Sequence, residues 1–233
     1  MFSADESASL PSLAELELDN MQLWGVPQPG HLAPFREHLQ SLSLRLGGKG
    51  AVLAAFEAPW PKLRHLRLVG GNAGHTNELT DKLPSLHETL PACDILDLYE
   101  TSTRAKIIEA LVKSPLAHGL TGLRLHDARL SAQTLASLEQ VPFTQLRHLG
   151  LGALRVKPSL AKKLADAACL KTLECLEIDA RLGKKGLSKL VEALPRLSQL
   201  AIWNGAPSAE ELTSEFGLEG FVEAGGTVQP RLS

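Results

Sequence analysis

Across 233 residues, 24 Lys and Arg stand against 26 Asp and Glu, a net charge of −2. That near-balance gives no overall attraction to nucleic acid or to an anionic membrane. No apolar run reaches the roughly 18 residues a membrane-spanning helix needs, and the start, MFSADESASL, lacks the basic-then-apolar order of a secretory signal.

Three cysteines without a pairing pattern point to a reducing compartment, so a cytoplasmic location is expected. Aromatic residues make up only 4%, which predicts an aliphatic core. Residues 1–12 are rich in Ser and Ala and are expected to form an N-terminal half-repeat or cap, with Ser3 as a helix N-cap.

From Leu13 a unit recurs. Its fourth slot is Leu16, Leu42, Leu66, Leu96, Leu123, Leu149, Leu176 and Leu200, at intervals of 24 to 30 residues. The slot two residues later is always Leu or Ile. The slot three residues earlier is Leu in every unit but one, where Cys93 stands. Alternation over L-x-L predicts a short strand with two leucines on its inner face. No such unit covers its own apolar face, so neighbours are expected to stack into one continuous core.

Helix signals between the predicted strands are uneven. Residues 24–38 hold three prolines and are expected to be mostly loop. Residues 49–57 predict a short helix stopped by Pro59 and Pro61. The longest interval, around residues 71–92, predicts a helix, a break at Pro84 and a short turn. Residues 102–113 predict a helix with Ile107, Ile108, Leu111 and Val112 inward. Residues 131–140, capped by Ser131, and 157–168, opened by Pro158, predict two more. Residues 183–194 give the best 3.6-residue match, with Leu187, Leu190, Val191 and Leu194 on one face. After the last unit, residues 207–233 are expected to be a C-terminal cap, with a helix over 208–216 and Phe221, Val222, Thr227 and Val228 closing the end.

The spacing L-x-x-L-x-L resembles the leucine-rich-repeat family, over residues 10–206. Repeat length and helical linkers resemble its ribonuclease-inhibitor-type subclass. One departure stands out: the ninth slot, usually Asn or Cys in that family, holds Met21, Gly47, Gly71, Thr101, Ala128, Leu154, Arg181 and Gly205. The resemblance implies an α/β fold, a right-handed α/β solenoid of horseshoe form. About eight parallel strands would lie on the concave face and helices on the convex face, with the repeat array at 13–206. The style also resembles bacterial cytoplasmic leucine-rich proteins.

In such an array the third, fifth and seventh slots face away from the core, and residues in one slot of adjacent strands form a row about 4.8 Å apart. The fifth-slot row sets Asp97 between Arg67 and Arg124. Tyr99 and Trp203 add aromatic anchors of the kind that interfaces favour. A concave partner-binding surface is therefore expected at Arg67, Asp97, Tyr99, Arg124, His126, Glu177, Asp179 and Trp203, with Gly150 and Gly152 leaving a bare patch that admits a partner's side chain.

No catalytic constellation is complete. His65, His126 and His148 share a face, but their slots are too far apart to converge on a metal ion. Cys175 and His148 share a row and can meet, yet no third group is evident to orient the histidine, so a plain surface neighbour pair is expected. GGKG at 47–50 lacks the glycine spacing and the Ser or Thr of a phosphate-cradling loop. Glu15 and Glu17 are expected to be a solvated face. The sequence thus predicts a non-catalytic, monomeric protein-binding module without metal, cofactor, small-molecule substrate, nucleic acid or membrane. An alternative is the substrate-recognition part of a larger effector or ligase whose catalytic domain lies elsewhere.

Overall fold

A computed structural model describes residues 13–18, 29–45, 55–69, 73–99, 104–126, 136–151, 164, 167, 170–179, 184–203, 214, 221–224 and 227–230. The chain divides into two compact units, Met1–Leu120 and Thr121–Ser233.

In the first unit the L-x-L segments form strands β1 (Glu15–Leu18), β2 (Ser41–Arg45), β3 (His65–Val69) and β4 (Ile95–Tyr99). Each pairs in parallel with the next, and the register sets fourth slot against fourth slot: Leu16 faces Leu42, which faces Leu66, which faces Leu96. The inward leucines of β2 to β4 are fully buried, as alternation requires.

Strand entry is pinned by the backbone. The carbonyl of the residue before a strand accepts two amides from the next unit: Ala14 O from Gln40 (2.8 Å) and Ser41 (3.0 Å), Gln40 O from Arg64 (2.8 Å) and His65 (2.9 Å). The same fork recurs at Arg64, Thr121, Arg147 and Glu174. It holds register without needing a ninth-slot asparagine.

The linkers differ from one another. Residues expected to be loop hold a 3-10 helix at Pro29–Phe35. The longest interval follows its expectation: α1 (Ala73–Lys82), a 3-10 turn at Leu83–Ser85 around Pro84, then α2 (Leu86–Thr89). Pro84 lies at the start of that turn, where its missing N–H costs nothing. Helix α3 (Arg104–Val112) buries Ile107, Ile108 and Leu111, and α4 (Leu116–Gly119) follows. The core is not purely aliphatic. Trp60 and Phe56 are fully buried, and Trp60 Nε1 donates to Ala55 O at 3.0 Å, so the indole loses no hydrogen bond.

The second unit holds β5 (Gly122–Leu125), β6 (His148–Leu151), β7 (Cys175–Asp179) and β8 (Gln199–Trp203), again parallel and in chain order. Helix α5 (Lys184–Ala193) packs Leu190 inward, and Leu194 just past its end is also buried. The final strands, β9 (Phe221–Ala224) and β10 (Thr227–Pro230), are antiparallel to each other, and β10 is antiparallel to β8. The helical positions expected at Ser131, Leu135, Pro158, Leu160 and 208–213 lie outside the described residues.

The right-handed horseshoe solenoid expected from the spacing is corrected by these elements. Curvature of that kind needs a wide helix behind every narrow strand, evenly repeated. Here the segments behind the strands range from a 3-10 helix to a broken pair of helices, and the last described ladders turn antiparallel. The architecture supported is an α/β fold of four parallel strands in each unit with flanking helices.

Candidate metal centre

The polar slots of β5, β6 and β7 converge. Register sets His148 beside Cys175, and Arg124, Gly150 and Glu177 in one line across three strands. Arg124 and Glu177 are two strands apart, a backbone separation of roughly 9–10 Å. They nevertheless meet. Arg124 Nε and Nη2 donate to Glu177 Oε1 at 3.3 and 3.2 Å.

Gly150 makes this contact possible. A Cβ on Gly150 would lie 2.7 Å from Arg124 Cγ and 3.2 Å from Glu177 Oε2. The two side chains close over the strand because that position carries no side chain. The bare patch expected at Gly150 is therefore filled from within the chain; Gly152 lies outside the described residues.

His148 joins the same carboxylate. Its Nε2 donates to Glu177 Oε1 at 2.7 Å, since a carboxylate only accepts. Its Nδ1 then faces Arg124 Nη2 at 3.4 Å and accepts. Burial alone would raise the Glu177 pKa. The His148 hydrogen bond and the charge of Arg124 outweigh burial and hold that carboxyl below its ordinary value.

Cys175 completes the group. It is only 7% exposed, so it is not the surface neighbour expected from its slot. Burial, and then the nearby Glu177, push its thiol up to about 12. The ligand atoms of His148, Cys175 and Glu177 all lie within 4.8 Å of one another. One nitrogen, one sulfur and one oxygen donor are a ligand set that zinc-class ions accept. Donors on a tetrahedral ion sit roughly 3.3–3.7 Å apart, given bonds of about 2.0–2.3 Å. Shifts of about 1 Å in the ligand atoms would bring the three donors to that spacing.

A parallel arrangement occurs in the first unit. His65 Nε2 donates to Asp97 at 2.9 Å, and Ser41 Oγ donates to His65 Nδ1 at 3.4 Å. This is the order of a nucleophile–base–acid relay, but Ser41 N is committed to Ala14 O at 3.0 Å, so it cannot serve an oxyanion. In both units a third-slot histidine meets a fifth-slot acid on the following strand. That diagonal was the signal for Glu177 as the group that orients His148.

Partner binding on a concave strand face is corrected by the same contacts. Asp97 is 2% exposed and bonded to His65. Arg67 stacks over Tyr99 with its guanidinium carbon 4.4 Å from the ring centroid. Arg124 and Glu177 hold each other. His126 is half-buried just beyond β5. Asp179 and Trp203 face each other in backbone register, and their side chains lie outside the described residues. Of the charges expected to meet a protein, or to read a substrate for an effector or ligase, Arg67, Asp97, Arg124 and Glu177 are engaged within the sheet.

No described helix is long and apolar enough to cross a membrane. No family model matches the chain. No curated protein matches it. Among solved structures it is similar to the crystal structure of a protein from Bacteroides fragilis, at 15% identity and a TM-score of 0.50, over 85% of this chain and 70% of that one. At that identity the likeness bears on fold alone. Membership of the leucine-rich-repeat family, ribonuclease-inhibitor subclass included, is thus corrected. The spacing describes how leucines are buried in sequential parallel strands and does not by itself carry a family.

Proposed function

We propose that this chain is a non-catalytic metal-binding domain that takes a zinc-class divalent ion through His148, Cys175 and Glu177. The observation that supports it is the convergence of three chemically different donors from two adjacent strands. Binding a metal deprotonates the Cys175 thiol, so the ion replaces a proton that burial otherwise retains. A thiol ligand must stay reduced, and a cytoplasmic location suits that need; Cys93 and Cys175 are both free.

Cobalt(II) tests the reading, because a cysteine thiolate on that ion gives an intense near-ultraviolet charge-transfer band. The expected result is a band saturating at one equivalent, abolished in Cys175→Ser and weakened in His148→Ala. A wild-type titration without the band, or one unchanged by Cys175→Ser, removes the proposal.

A further inference from the structure

Arg124 contacts two of the three groups that a metal ion would use, Glu177 and His148. Its guanidinium is bonded to Glu177 Oε1 by Nε and Nη2, and Nη2 also faces His148 Nδ1. We infer that Arg124 is a built-in competing cation that keeps the His148–Cys175–Glu177 site closed until a sufficiently strong ion displaces it. The inference rests on the metal-binding reading and adds the rule that governs it.

Two effects act together. The guanidinium satisfies the carboxylate, so an ion gains from Glu177 only by breaking charge-assisted hydrogen bonds. The contact at Nδ1 also favours the His148 tautomer with its proton on Nε2, which leaves that nitrogen no lone pair to donate. Displacing Arg124 frees the oxygen and lets the imidazole turn over its proton.

Selectivity follows. A hard ion such as Mg²⁺ or Ca²⁺ seeks several oxygens, and the triad offers one carboxylate. It gains too little to displace a guanidinium. An ion that also bonds nitrogen and sulfur gains at all three positions. Gly150 provides room for Arg124 over the strand, so the competitor is seated by the sheet itself.

The opposite role is physically sensible too. Arg124 could instead hold Glu177 in position for the metal, and its loss would then weaken binding. The sign of one substitution separates the two. Cobalt(II) and zinc(II) affinities are measured for wild type, Arg124→Met and Arg124→Gln, with circular dichroism to confirm folding. Binding should tighten about tenfold in both variants, equivalent to about 1.4 kcal/mol, while Mg²⁺ competes in none. If Arg124→Met fails to fold, Arg124→Gln carries the comparison, because its neutral amide still donates to Glu177. Equal or weaker binding in a folded variant overturns the gate and leaves the metal reading standing. A missing thiolate band in wild type overturns both.

Discussion

At the scale of single residues, Gly150 and Glu177 organise the polar face of the second unit. Adding a methyl group at Gly150 forces Arg124 Cγ away from a 2.7 Å approach, and that atom lies near the backbone with little freedom to yield. Gly150→Ala should therefore cost about 1–3 kcal/mol, the usual range for overpacking, measured by urea unfolding. A loss below the error of that measurement would show that Arg124 relocates freely. Glu177 sets an acid limit. Its folded pKa is depressed, so the unfolded chain takes up its proton first as pH falls. The carboxylate contributes stability above the ordinary glutamate value and loses it as pH drops through the folded value. In metal-free protein, wild type should lose stability more steeply than Glu177→Gln below about pH 4.5. Parallel slopes would mean that His148 and Arg124 do not favour the ionised form.

Elements were legible to different degrees. Residues 183–194 give strong helical periodicity, and α5 forms there with Leu190 fully buried. Leu190→Ala should cost about 2–5 kcal/mol, whereas exposed Lys189→Ala should stay within about 0.5 kcal/mol. Equal effects in thermal or urea unfolding would show that the apolar stripe of α5 does not face the core. The break at Pro84 was equally legible, because a proline stops the preceding helix wherever the rest of the fold lies. Residues 29–35 were not. Their prolines and glycine forbid a regular α-helix but permit the tighter 3-10 form, and burial of Leu32 and Phe35 decides between that and open loop. The broad rule that few aromatics mean an aliphatic core missed Trp60 in the same way: composition counts a residue type without saying where each copy lies.

At the scale of the whole molecule, the sequence by itself determined where strands begin, their parallel order within each unit and which strand leucines enter the core. Those follow from a period-two alternation recurring in phase, a property local to each segment. The regular spacing overstated the regularity of the whole, since the horseshoe depends on what stands behind each strand and the leucines do not encode it. Only the tertiary structure decided what the outward residues do. His148 meets Glu177 across 29 positions and Arg124 meets it across 53, over a glycine between them. Contacts of that kind depend on rotamers, on diagonal reach and on a missing side chain. Arg124 and Glu177, expected to meet a partner, close on one another because desolvated ions in a sheet are stable only when paired.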